Sequence, residues 1–578
     1  MEYILGAYSQ LPFGSPTEEY ETLLAQQLKP LLTMVYRNSS IKLLLRLGIS
    51  EYDYLEQNHP EVNMLINDLC RKGQLEILSS SYYDVVLSLI PTHERTSHIE
   101  KTTTYIRKNF SKRPRGLWFY NQVNGTVEAT RPFYTEEMGK PALVFPIDDR
   151  FCKETADLYN SVISLEKYLA SVRKLCSEST NSISTIMLNL DQLMGESGSV
   201  EVFKVITDTL GEKCTLPGLY LSENEVARTH YLPSGIYGRD FAIGKLTSIK
   251  QLIYDSPKLS RNYGIVNMLR DTLRDSKRNI DDRKSMEQIL MKASSSSLYF
   301  PNECNNPAIA RGVNKYSCEM EVALSKVPNI VIPEQTDIDF DRVPESLIAG
   351  KANIAYLSHR GAVLSRFIIS SSLCDLAFHS GDGLFADSFI DERTNKEIKL
   401  AAKPYEVTSL DKKRTDFFAK APSMMLGKIP VNLTKRYKFR QSTVIVEIEI
   451  ENLSDTRLSG FTYMNTINIA LPCESDVGCP EGLIKDGGSS FTQSLMVSDK
   501  SCPFSISVVL GEEADVSRTD FRQKTRTWLG DKSFYEYTQL RIKKKLSLGP
   551  YEDTRLTIGF RTEKRKEKHN DTTEQSTS

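Results

Sequence analysis

Among the seven histidines, only His93 and His98 lie close together, in the polar stretch Pro91-Thr92-His93-Glu94-Arg95-Thr96-Ser97-His98. Paired imidazoles could hold zinc, but a spacing of five without a carboxylate-rich helix face reads as a solvated helix start. The ten cysteines include no C-x-x-C pair, so neither thiolate zinc nor dithiol redox chemistry is signalled. They read as reduced, buried thiols of a cytoplasmic protein. No G-x-G-x-x-G follows a strand and no G-x-x-x-x-G-K-[ST] occurs, so neither dinucleotide nor nucleoside-triphosphate binding is indicated. No cofactor and no metal are expected. The groups left to do chemistry are carboxylates, amides and aromatic rings, and what they can do depends on the elements that bring them together.

The N-terminal part alternates strands and helices. The start, Met1 to Gly6, lacks the basic and apolar regions of a signal peptide and reads as a first strand. Further strands are Ile41–Leu47, Gln74–Leu78, Gly116–Tyr120, Pro141–Ile147, Thr185–Leu188 and Leu216–Leu221. Helical stretches run from Ser50 to Lys72, closed by Gly73, and from about Thr92 to Asn109. Nearly continuous apolar strands between helices argue for a parallel sheet covered on both faces, as a barrel or a doubly wound sheet. From Asp240 to Lys326 the apolar stripes turn helical. After Pro333 the period becomes two, clearest in Val446-Glu447-Ile448-Glu449-Ile450-Glu451, which predicts an antiparallel β-sandwich. The expected division is a barrel domain over 1–239, a helical segment over 240–332, a β-sandwich over 333–560 and a disordered tail over 561–578.

With 40% hydrophobic and 25% charged residues among 578, a wholly disordered chain is excluded. A formal net charge of -1 gives no global attraction for nucleic acid or an anionic membrane, and no apolar run is long enough to cross a bilayer. The basic cluster Lys564-Arg565-Lys566 reads as a solvated terminus. No nucleic-acid or membrane partner is expected, and oligomeric state is not readable.

Gly73-Gln74-Leu75-Glu76-Ile77, Tyr82-Tyr83-Asp84 and Leu87-Ser88-Leu89-Ile90-Pro91 resemble the second signature region of glycoside hydrolase family 57, and of its 4-α-glucanotransferases and α-amylases in particular. Gly6 to Gly14 is similar to the first, Gly116-Leu117-Trp118 to the third, and Tyr231 to Tyr237 to the fifth. Phe133–Glu137 with Val144–Asp148, and the β-rich Leu433–Asn452 and Gly460–Pro472, also resemble the glucanotransferase pattern. The resemblance implies an incomplete (β/α)7-type barrel with a helical segment, followed by an antiparallel β-sandwich domain. It also implies an α-glucan or maltooligosaccharide as ligand.

The departures bear on chemistry. A retaining glycosidase needs two carboxyl groups about 5 Å apart, one a nucleophile and one an acid/base. The resemblance puts the nucleophile position at Asn121 and, anchoring on Gly195, the acid/base position at Asn189, with Asp191 the rival. Neither amide can form a glycosyl ester. Two histidines of the first region become Tyr8 and Gln10, a strand-end histidine becomes Arg46, and a glutamate shortens to Asp84. A tryptophan-histidine pair becomes Tyr299-Phe300, and the connection from Asn121 to Phe133 is shorter by roughly one helix and strand. Trp118, Tyr82, Tyr83 and Tyr237 keep flat rings able to stack on glucose, or to pack the barrel rim.

Three readings follow. The first is an α-glucan-related protein without the usual catalytic pair. The second is an active 4-α-glucanotransferase or α-amylase with relocated carboxylates, drawn from Asp84, Asp191, Glu196 and Glu128. The third is a protein-binding scaffold.

Overall fold

The computed structural model describes residues 2–9, 11–118, 131–137, 139–178, 183–193, 198–211, 213–230, 249–276, 280–299, 307–326, 335–527 and 530–565. These residues fall into two compact units. The first lies within Met1–Leu259, Met291–Val313 and Lys524–Lys532, the second within Ser260–Leu290, Asn314–Gln523 and Ser533–Ser578.

The first unit is built on a parallel sheet. β1 (Glu2–Tyr8) pairs in parallel with β2 (Leu43–Arg46) and with β6 (Ile183–Asn189), and β2 pairs with β3 (Leu75–Ile77). The short β7 (Cys214–Thr215) adds to the start of β1. Parallel bridges Ser79↔Leu117 and Ile147↔Thr185 carry the ladder outward on both sides, giving an open, incomplete barrel. All of β2 and β6 is buried, as continuous apolar runs in a sheet covered on both faces require. The covering helices include Ile49–Asn58, Pro60–Arg71 and Thr92–Phe110. The Ser50–Lys72 stretch is therefore two helices, because Pro60 sits in the first turn of the second and its ring cannot continue the first. Gly73 follows with φ +71°, the left-handed stop expected from the sequence.

Two expected barrel strands differ. Pro141–Ile147 yields β5 (Lys140–Val144), which pairs antiparallel with β4 (Phe133–Glu137) in a separate ribbon. The turn at Gly139 is far too short for a parallel crossover, and only Ile147 reaches the main sheet. Leu216–Leu221 is not a strand but the start of a helix over Pro217–Glu223. Leu216 is extended and Pro217 opens the first turn.

The segment after residue 240 carries helices Ile249–Asp255, Pro257–Asp275, Ile280–Ala293 and Pro307–Ser325. No helix among the described residues is long and apolar enough to cross a membrane. No disulfide joins two of the described cysteines.

The second unit is β-rich, and its strands form one antiparallel network that closes on itself. Strand Thr443–Asn452 buries Val444, Val446, Ile448 and Ile450 and turns the intervening residues outward, the alternation read from the sequence. It lies between strands Ile429–Arg440 and Asp553–Lys564, with Val446 facing Tyr437 on one side and Ile558 on the other. Residues 561–564, expected to open a tail, belong to a strand, and the rest of that expected tail from residue 566 lies outside the described residues. Strand Asp553–Lys564 continues to Lys564, because backbone pairing to Phe504–Leu510 needs no apolar side chain. Within the basic cluster, Arg565 donates to the Asp499 carbonyl at 3.2 Å.

Candidate functional site

The carboxyl ends of parallel strands are where side chains of a barrel can converge on a ligand. In the first unit the register sets Tyr8 at the end of β1 directly between Arg46 of β2 and Asn189 of β6. This row therefore holds a phenol, a guanidinium and an amide, and no carboxylate.

Arg46 does not face open solvent. Its guanidinium pairs with the Asp84 carboxylate, and the two side chains are 1% and 3% exposed. It also donates to the Ser9 carbonyl. Asp84 reaches it from a tight turn after β3, where Tyr83 and Asp84 have φ of 61° and 52°. Successive left-handed residues other than glycine cost energy and persist only when their surroundings hold them. Here the buried ion pair is one such restraint.

A third charged group joins them. Glu51, in the first turn of helix Ile49–Asn58, accepts the Gly48 backbone N–H and is 1% exposed. A Cβ on Gly48 would stand 2.9 Å from Asp84 Oδ2 and 3.2 Å from Glu51 Oε2, so both carboxyls crowd one backbone position. Burial pushes the Glu51 carboxyl up to about 8, with Arg46 opposing and Asp191 adding to the rise. Burial also raises Asp84, and Arg46 pulls it back. Glu51 escapes a reading of the sequence because the helix-start signature places a polar side chain three residues earlier, and Gly48 has none.

The remaining candidates are placed as follows. Asn189 is 7% exposed, and its side-chain oxygen accepts the Asp191 backbone N–H at 2.9 Å, which ties it to its own turn. Asp191 is half-buried and accepts the Ser9 hydroxyl at 2.7 Å. Trp118 is 6% exposed and packs with Ile4, Leu44, Leu78, Met187 and Tyr220, its ring 4.7 Å from that of Tyr8. Tyr83 is half-buried between the rings of Phe13 and Tyr82, at 4.8 and 4.7 Å, with the Lys292 ammonium 5.9 Å from its centroid. Tyr299 is buried. Asn121, Tyr237, Gln10, Glu128, Glu196 and Phe300 lie outside the described residues.

The structure thus brings Tyr8, Arg46, Asp84, Asn189 and Asp191 to one end of the sheet and adds Ser9 and Glu51. Chemically, this floor can donate and accept hydrogen bonds and hold one buried proton. Its two most buried carboxyls serve Arg46 and a backbone amide.

A family model described as glycosyl hydrolase family 57 matches residues 8–123. The chain is 26% identical over 121 residues to alpha-amylase 1 of Dictyoglomus thermophilum, covering 21% of this chain and 18% of that protein. It is 25% identical over 178 residues to a 4-alpha-glucanotransferase of Thermococcus kodakarensis, covering 26% of this chain and 27% of that one. The matched part thus spans only about a fifth to a quarter of these curated relatives. The crystal structure of 4-alpha-glucanotransferase from Thermococcus litoralis superposes with a TM-score of 0.76 at 15% identity, over 97% of this chain and 99% of that one, and so shares its fold. Residues 8–123 are thus similar to glycosyl hydrolase family 57, and nearly the whole chain shares the fold of the Thermococcus litoralis 4-alpha-glucanotransferase.

Proposed function

We propose that the protein binds α-glucan or maltooligosaccharide without turning it over by the usual carboxylate pair. The observation that supports this is the strand-end row Tyr8–Arg46–Asn189, in which Arg46 is sealed by Asp84 and Asn189 caps its own turn. Asn121 extends the argument from the sequence, because an amide there cannot attack an anomeric carbon. Tyr83, Trp118 and Tyr237 are the rings offered to sugar, and Tyr83 carries most of that role because Trp118 is largely packed. Buried thiols such as Cys70, Cys176, Cys214 and Cys318 suit a reducing, cytoplasmic setting.

One observation favours a second reading, an active enzyme with relocated carboxylates. Asp84 and Glu51 crowd one point, and Glu51 holds its proton to about 8, as a general acid must.

The test incubates the pure protein with maltooligosaccharides and resolves the products. A ladder of longer and shorter chains, abolished by Glu51→Gln, replaces the first reading with the second. In parallel, maltoheptaose is titrated against tryptophan fluorescence, with Trp118→Phe as the control for Trp528. Binding without a ladder is the expected result. Neither binding nor a ladder leaves the scaffold reading.

A further inference from the structure

At the amino ends of the first unit's strands, a cleft opens beside β3. From Leu75 to Ile77 this strand pairs with β2 alone, and it is the last in the ladder. The chain beyond joins it only at the Ser79↔Leu117 bridge. Below that bridge the sheet edge is unpaired, and a cavity of about 370 Å³ lies against it. That volume falls within the range of small-molecule sites. Its apolar wall is formed by Leu75, Ile77, Ile106 and Leu216, all buried.

The charged lining is one-sided. Lys112, Arg113 and Arg115 line the cleft from the segment between helix Thr92–Phe110 and Leu117. All three are exposed, and none is in an ion pair among the described residues. Like charges gathered on one rim repel one another, and an anion between them relieves that repulsion. The one carboxylate of the lining is Glu76, which accepts the Gly218 N–H at 3.3 Å. Burial raises its carboxyl, and the Gly218 N–H and Arg115 pull it back. A Cβ on Gly218 would stand 3.3 Å from both Arg115 Nη1 and Glu76 Oε2. A guanidinium donor and a carboxylate acceptor therefore flank one point of the cleft wall.

We propose that this cleft binds a sugar phosphate, with the phosphate on Lys112, Arg113 and Arg115 and a sugar hydroxyl on Glu76. Three cations against one carboxylate leave an excess of two positive charges, which matches a phosphate monoester near pH 7. Each guanidinium can clasp two phosphate oxygens with parallel hydrogen bonds. Glu76 repels a bare inorganic phosphate but accepts a hydroxyl, so the ligand carries hydroxyls beside its phosphate. The Ser222 hydroxyl, which donates to the Leu219 carbonyl at 2.7 Å, keeps lone pairs for a second one. No aromatic ring lines the cleft among the described residues, so a nucleobase would find no stacking surface. The cleft lies at the opposite end of the strands from the Tyr8–Arg46–Asn189 row, so its ligand is held there and not transformed. The site is independent of the glucan reading.

The test titrates the whole chain with glucose 6-phosphate by calorimetry, with inorganic phosphate and glucose in parallel. One glucose 6-phosphate per chain is expected, bound more tightly than either control. Arg115→Gln, at an exposed position, should weaken it at least tenfold with an unchanged circular-dichroism spectrum and an unchanged maltoheptaose titration. Arg113→Gln, on the same rim, should act in the same direction. Glu76→Gln keeps an acceptor for the Gly218 N–H and should bind inorganic phosphate more tightly, narrowing the preference for the sugar phosphate. Absence of binding heat with millimolar glucose 6-phosphate in the wild-type chain would overturn the site, however the variants behave. Wild-type affinity in folded Arg115→Gln and Arg113→Gln would do the same, by placing the ligand elsewhere. Equal affinity for glucose 6-phosphate and inorganic phosphate would overturn the sugar assignment.

Discussion

Arg46 and Asp84, 38 residues apart in the chain, form an ion pair in which both side chains are almost fully buried. The pair links the end of β2 to the turn after β3, at the place where a glycosidase would present reactive groups to a sugar. An arginine so held is a structural clamp, and it engages the Asp84 carboxylate in a buried ion pair.

Breaking one side of this clamp should be expensive. Arg46→Met leaves Asp84 buried without its cation and is expected to cost about 3–5 kcal/mol in urea unfolding. Adding Asp84→Asn to Arg46→Met should recover a large part of that loss, because no unpaired charge then stays inside. If the single variant unfolds like wild type, the clamp is unimportant to stability.

Glu51 makes stability depend on pH in a defined direction. Its carboxyl is pushed up to about 8 in the folded chain, against an ordinary value of 4.5. Below 4.5 both states hold the proton, and this contribution is fully present. Between 4.5 and about 8 the unfolded chain releases the proton while the folded chain keeps it, so stability falls as pH rises, by at most about 1.4 kcal/mol per pH unit. Glu51→Gln keeps an acceptor for the Gly48 N–H and removes the titration. Relative to wild type, it should gain stability from about pH 5 to about pH 8 in parallel urea series, and curves of equal slope would reject the assignment.

The two aromatic candidates should separate by readout. Trp118 is buried in an apolar cluster with Ile4, Leu44, Leu78, Ile183, Met187 and Tyr220, its ring beside that of Tyr8, so Trp118→Ala is expected to lower stability by about 3–5 kcal/mol. Tyr83→Ala should instead weaken maltoheptaose binding by about 1 kcal/mol with a smaller change in unfolding. Equal loss of glucan binding with intact stability in both variants would contradict this division.

In the second unit, helix Pro257–Asp275 meets the acidic loop Asp337–Asp341 at Gly264. A Cβ there would lie 1.7 Å from the Ile338 carbonyl oxygen, a backbone atom that cannot swing aside. Gly264→Ala should therefore destabilise the chain by about 1–3 kcal/mol and lower its Tm, and an unchanged Tm would show that the helix and loop separate freely.

The sequence by itself determined much of the scaffold. Apolar runs such as Leu43–Arg46 and the two-residue period of Val446–Glu451 report on neighbours within a few residues, and local burial is what they encode. The amides Asn189 and Asn121 and the guanidinium of Arg46, at positions where the family resemblance implies acids and a histidine, are likewise read from the sequence. Tertiary structure decided the rest. The strand propensity of Leu216–Leu221 gave way to Pro217 at a helix start, and Pro141–Ile147 was drawn into a ribbon by its partner Phe133–Glu137. Above all, the fates of Arg46, Asp84 and Glu51 were settled by charge compensation across strand ends and helix start, a through-space balance that no local periodicity records.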